Sequence, residues 1–151
     1  MRVLTLVTVL LFGCQTSPGV KKDSGVLLSL QRTACYGACP VYVVEVFSDG
    51  TLHFKGERHV KVTEPIELKL APGVLEKLIA RVDQSGFAGW NDFTTNSVSD
   101  APTVVLSYKG RAVRHYRGDD QAPPELTALE DEVDALLGTD RWVKGAGGET
   151  Q

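Results

Sequence analysis

Cys35 and Cys39 are the two side chains whose type and spacing can do chemistry together. They stand four positions apart in Cys35-Tyr36-Gly37-Ala38-Cys39-Pro40. A tight turn at Gly37 can bring their Cα atoms within the ~4.4–6.8 Å that a disulfide requires. Three chemistries suit two such thiols. A disulfide would close a small ring, and restricting the unfolded chain over so few residues contributes roughly 2 kcal/mol. A redox centre needs an exposed thiolate of lowered pKa, usually at a helix N-terminus. Here Cys39-Pro40 leads instead into the β-branched run that begins at Val41, so the helix dipole is missing. A copper site would place Cu(I) between two soft thiolates and a third group. His115, between Arg114 and Tyr116 in a strand pattern, has the ordinary setting of a surface histidine.

The third cysteine bears on the compartment, and so on this choice. Val3 to Phe12 is apolar apart from Thr5 and Thr8, after the positive start Met1-Arg2. The run is far short of the ~20 residues a membrane-spanning helix needs, and it fits the core of a signal peptide, about 7–15 residues long. Leu11-Phe12-Gly13-Cys14 resembles the bacterial lipobox, with leucine three places before the cysteine and a small residue just before it. The resemblance implies a signal peptide over residues 1–13, cleavage before Cys14 and diacylation of its sulfur. Each methylene of an acyl chain buried in a bilayer contributes roughly 0.8 kcal/mol. Gln15, in place of aspartate, implies sorting to an outer membrane where the cell has one. Residues 14–25, with Pro18, Gly19 and Gly25, read as the lipidated cysteine and a flexible polar tether. In an exported chain three cysteines divide into one anchor, Cys14, and one disulfide, Cys35 with Cys39. The expected address is the cell envelope, lipid-anchored, facing the periplasm or the exterior. The expected partners are the bilayer, through acylated Cys14, and an envelope protein or peptide.

The remaining chain reads as elements that hold the cysteine loop. Its 151 residues suit one domain, and 42% hydrophobic content with 23% charged content supports a core. A net charge of -3 with no dense basic block excludes a general nucleic-acid binder. Val26–Gln31 and Val41–Ser48 read as strands, the second so apolar on both faces that it is expected to be covered on both. Asp49-Gly50 signals a hairpin turn into Thr51–Lys55. Gly56-Glu57 suggests a second turn, followed by Arg58–Thr63 and a short strand from Ile66 to Leu70. Pro72 opens a helix whose apolar stripe runs through Leu75, Leu78 and Val82 to a stop at Gly86. Thr103–Tyr108 and Arg111–Arg117 form another hairpin about Lys109-Gly110. Pro123-Pro124 starts a second helix that ends at Gly138, and Trp142 is expected to fold back on the core. The order ββββ(β)-α-ββ-α predicts an α+β fold over residues 26–143: an antiparallel sheet of about six strands with two helices on one face. Residues 144–151 read as a disordered tail.

Other candidates are thin. His53 and His59 flank the Lys55-to-Arg58 turn and could face each other, but two histidines without a carboxylate beside them are weak metal ligands. Asp119-Asp120 lacks a calcium-loop pattern and reads as solvated, and Asp100 beside Pro102 reads as a turn former. No nucleophile elbow, zinc-protease helix motif or phosphate loop is present in the sequence. The expectation is a binding or scaffold module, with no catalytic residue, metal or cofactor. The alternative is a thiol redox or copper-handling lipoprotein that uses Cys35 and Cys39.

Two further resemblances rest on the loop. Cys-x-x-x-Cys-Pro is similar to the spacing in Sco-type copper chaperones, where two thiolates and a distant histidine hold copper; the resemblance implies His115, the only histidine far enough along, as third ligand, but those proteins carry the motif in a thioredoxin-like βαβ setting that this element order does not reproduce. The wider pattern from Arg32 to Tyr42, then Asp49-Gly50, Phe54, Gly56, Asp100 to Thr103 and Trp142, resembles an uncharacterised bacterial domain family built around a C-[FY]-G-x-C-P-x-[FY] loop. That resemblance spans most of Val26 to Val143 and implies the fold and an exported setting, without adding an activity.

Overall fold

Along the six strands the more buried residues alternate with the more exposed ones, and this alternation sets the architecture. The structure is a computed structural model that describes residues 25–94 and 100–144. The expected signal peptide, Cys14 with its tether, and the tail from residue 145 lie outside the described residues. The strands are β1 (Val26–Arg32), β2 (Val41–Phe47), β3 (Thr51–Arg58), β4 (Ile66–Lys69), β5 (Thr103–Tyr108) and β6 (Arg111–Tyr116). They form one sheet in the order β4-β3-β2-β1-β5-β6, and every neighbouring pair is antiparallel. Short turns join β2 to β3 and β5 to β6. Gly50 (φ 79°) and Gly110 (φ 81°) supply the left-handed backbone there, a conformation that glycine adopts without steric cost.

Two main helices cover one face, giving the expected two-layer α+β fold. They are α1 (Val74–Gln84) and α2 (Pro124–Leu137), and a four-residue helix α3 (Asp140–Val143) follows. Pro124 occupies the first turn of α2, where its missing N–H has no partner to lose. Gly138, at φ 64°, terminates that helix. Leu28, Leu30, Val44, Val46, Leu52, Phe54, Leu106 and Val113 of the sheet are buried against Leu78, Val82, Leu126, Leu129, Val133 and Leu137 of the helices. Full burial of one such side chain stabilises by about 1.5–3 kcal/mol. Trp142 does fold back: its ring lies 4.9 Å from Phe54, centroid to centroid. Its carbonyl accepts from the N–H groups of Lys61 (2.8 Å) and Val62 (3.1 Å).

Four expectations are corrected. The second strand is covered on one face only, since Val43, Glu45 and Phe47 on the other face are just half-buried. Antiparallel sheets commonly leave one face to water. Gly56-Glu57 is no turn but part of β3, with Gly56 paired to Tyr42. Arg58–Thr63 accordingly forms no separate strand. The chain turns after Arg58 at His59 (φ 53°), and Val60 and Val62 pack beside the core. A β-carbon on Gly56 would collide with the Val62 carbonyl and the Val60 side chain, so close approach of two segments explains this glycine better than a turn does. Finally, Pro72 precedes the first helix instead of opening it: Gly73, at φ 82°, is the cap, and Val74 is the first helical residue.

Candidate functional site

The inward side of β1 reads Leu28, Leu30 and then Arg32, and Arg32 pairs across the ladder with Tyr42 of β2. By the two-residue period both side chains enter the layer between sheet and helices. There α2 presents Asp131 and Asp134, one helical turn apart. Arg32 Nε donates to Asp134 Oδ2 (2.8 Å) and Tyr42 Oη (3.0 Å), and its Nη2 donates to Asp131 Oδ1 (3.0 Å). Tyr42 Oη in turn donates to Asp134 Oδ1 at 2.7 Å, and Thr139 Oγ1 donates to the same oxygen at 2.7 Å. Asp134 therefore accepts from three side chains on three segments. The Tyr42 ring also lies 5.5 Å from that of Phe54, so one residue joins the polar cluster to the apolar core.

Electrostatics follow from this packing. Burial and the adjacent Asp134 charge both push the Tyr42 phenol well above its ordinary pKa. Burial by itself would ease the proton off Arg32, but the Asp134 charge, Tyr42 and hydrogen bonds to both carboxylates outweigh it and leave Arg32 more firmly protonated. Partial burial pulls Asp131 upward and is outweighed by Arg117 and Arg32, so its carboxyl sits below the usual range.

A second chain of contacts continues from Asp131. Arg117 Nη2 donates to Asp131 Oδ1 (2.7 Å), while its Nε lies 2.9 Å from Glu130 Oε2 in a charge contact not aligned as a hydrogen bond. The other oxygen of Glu130 lies 2.8 Å from His115 Nδ1. His115 and Glu130 are almost fully buried. This corrects the expectation of a surface histidine: the period of β6 puts His115 on the same side as Val113, toward α2. Asp119 is likewise buried, contrary to the solvated reading, and its Oδ1 accepts from the Gln121 N–H at 2.9 Å.

The cysteine loop roofs this cluster. Cys35 and Cys39 lie at disulfide distance, with Cα atoms 5.7 Å apart. The loop is held to Asp100 and to the start of β5 by Tyr36 N–H to Asp100 O (3.2 Å), Thr33 N–H to Thr103 O (3.0 Å) and Thr103 N–H to Thr33 Oγ1 (2.9 Å). The Tyr36 side chain nonetheless stands 89% exposed at the loop tip. At the Cys39-Pro40 end of the loop opens a cleft of about 440 Å³, with Arg32, Tyr42 and Asp134 in its lining and Cys39, Pro102 and Val143 among its walls. A comparable hollow of about 480 Å³ lies on the open sheet face around Val43, His53 and Glu67, where the polar groups are exposed. The cleft beside the loop is the candidate site, because charged groups with fixed geometry converge there.

Some sequence candidates are not brought together. His53 faces Glu67 (3.2 Å), and His59 follows the end of the same strand. Six residues of extended chain put the two about 20 Å apart. Among the described residues no group of three or more His, Cys, Asp or Glu is placed to hold a metal ion. The ionic cluster itself went unread in the sequence. Arg32 continues the Leu28–Leu30 parity, and Glu130 lies four residues after Leu126 and three before Val133 on the apolar stripe of α2. A charged residue in phase with a core stripe was the available signal.

No curated protein matches the chain. A family model matches residues 26–137, from the first strand to the end of α2, and so takes in the cysteine loop, Arg32, Tyr42, Asp131 and Asp134. On that match the chain belongs to DUF6438, a family described as a domain of unknown function.

Proposed function

We propose that this chain is an exported lipoprotein, anchored through acylated Cys14, whose folded domain is a binding or scaffold module of the cell envelope. The observation that carries this reading is the pairing of an exposed Tyr36 with a loop that cannot easily collapse. Disulfide-distance cysteines and a hydrogen bond to Asp100 hold the backbone, so presenting the aromatic ring costs little conformational entropy. Tyrosine, with tryptophan and arginine, is enriched among the few residues that carry most of the energy of protein interfaces. In this reading the Cys35–Cys39 disulfide is structural, and the partner is an envelope protein or peptide.

The test is capture of partners from envelope extracts by the full chain and by Tyr36→Ala. Tyr36 is exposed, so folding stays unchanged, and a specific partner is expected to be lost by about tenfold or more. Equal capture by both chains would contradict the role given to this loop.

A thiol redox or copper-handling role is the second reading, favoured by one observation: both cysteines are only half-buried, and Cys39 lines the cleft. The electrostatics weigh against it. A reactive thiolate is favoured by unpaired positive charge, whereas Arg32 is engaged by two carboxylates. His115, the residue considered as a third copper ligand, is enclosed against Glu130. Resistance of the disulfide to mild thiols supports the first reading, and ready reduction with copper uptake supports the second.

A further inference from the structure

We infer that the cleft beside the cysteine loop takes a neutral peptide segment, with an apolar side chain between Pro102 and Val143 and a backbone carbonyl on Arg32. This deepens the binding reading above and rests on it. The inference comes from charge balance and from one donor left over. Arg32 spends Nε and Nη2 on Asp131, Asp134 and Tyr42, and its Nη1 is the guanidinium nitrogen that none of them engages. That nitrogen can only donate, so it calls for an oxygen acceptor.

The surrounding charge narrows which oxygen. Asp131, Asp134 and Asp140 line the same cleft with two cations, Arg32 and Lys144, that are already paired to them, so negative groups outnumber positive ones by one. An incoming carboxylate or phosphate would meet like charge on several sides. A cationic guest fares no better, because its carboxylate partners are taken. Asp131 already serves Arg32 and Arg117, Asp134 serves Arg32, and Asp140 accepts from Lys144 Nζ at 3.0 Å. An amide carbonyl gains the Arg32 donor without disturbing these pairs. Pro40, Pro102, Ala135 and Val143 add apolar surface at the walls, so a peptide bond flanked by an apolar side chain matches both parts of the cleft.

The test uses the isotopically labelled full chain and four probes. Three are blocked tetrapeptides that differ at one central position, Leu, Lys or Glu, and the fourth is inorganic phosphate. The leucine peptide is expected to shift the Arg32 Nε–H signal and the Cys39 and Val143 amides saturably. The lysine and glutamate peptides are expected to bind about tenfold more weakly, a difference of about 1.4 kcal/mol, and phosphate to leave these signals in place. Ala135 is exposed on α2, so Ala135→Trp fills the cleft without entering the core and is expected to abolish the shifts. Equal response to phosphate or to the glutamate peptide overturns the neutral guest, as does an undiminished response in Ala135→Trp or no saturable shift from any peptide. Shifts confined to Val43, His53 and Lys55 overturn the cleft assignment but leave a binding role on the open sheet face. Loss of the binding role itself is read separately, from partner capture with Tyr36→Ala.

Discussion

Arg32 Nη2 lies 2.7 Å from Asp134 Oδ2 and 3.0 Å from Asp131 Oδ1, so one guanidinium ties the end of β1 to two positions a turn apart on α2. This pairing fixes where the cysteine loop leaves the sheet, since the loop begins just after Arg32. Arg32 and Asp134 are both largely removed from water, and breaking a buried pair strands the remaining charge.

Arg32→Ala is therefore expected to destabilise the domain by about 3–5 kcal/mol, because Asp134 is left buried without its cation. Arg32→Lys should recover only part of this, since one ammonium cannot reproduce the forked contacts. Urea unfolding of the three chains checks both statements, and a loss below about 1 kcal/mol in Arg32→Ala would show the pair to behave as a surface contact.

Tyr42 and Asp131 set opposite pH limits. The Tyr42 pKa is raised on folding, so its contribution is fully present below the unfolded value of about 10 and is lost as pH rises through the folded value. The Asp131 pKa is lowered, so its contribution is present above about 3.9 and is lost as pH falls through the folded value. Thermal melting against pH should show an alkaline decline above about pH 10 that Tyr42→Phe flattens, although that variant starts lower by about 1.5–3 kcal/mol from the lost bond to a carboxylate. An alkaline limb unchanged in Tyr42→Phe would assign the decline to another group.

Gly56→Ala is expected to destabilise by about 1–3 kcal/mol through overpacking, because the new methyl meets backbone at Val62 rather than a flexible side-chain end. Chemical unfolding measures it. Gly89→Ala, where a β-carbon meets nothing within 4 Å, is the matched control; without a collision, replacing glycine is neutral or stabilising, so a loss in Gly56→Ala no larger than in Gly89→Ala would contradict the collision.

The fold was legible where side-chain period and turn chemistry agree. Val41–Phe47, the glycine turns at Gly50 and Gly110, and the helix end at Gly138 each carry a local cause that the sequence displays. Gly56 misled because glycine marks both turns and close approaches, and only the packing of Val60 and Val62 separates the two. The site was less legible, because its polar groups come from β1, β2, β6 and α2, and no spacing in the chain records that Arg32 will meet Asp134 over a hundred positions later. His115 shows the same limit: its parity with Val113 was readable, but its partner Glu130 sits on another element.

His115→Ala is accordingly expected to cost about 3 kcal/mol or more, since it opens space in the core and removes a partner from a buried carboxylate. Glu130→Gln, which keeps the shape and removes the charge, should cost less. Calorimetric melting of both variants decides the order, and a near-neutral His115→Ala would show that Glu130 is satisfied by Arg117 alone.

Under the proposed function the chain leaves the cell interior, with one sulfur acylated and the other two joined. Intact-mass analysis of native protein recovered from membranes tests it in one step. The expected result is a chain that begins at Cys14, carries fatty acyl groups there, and is lighter by the two hydrogens of a Cys35–Cys39 bond. A chain that still begins at Met1 and takes up a thiol label on all three cysteines without prior reduction would contradict it.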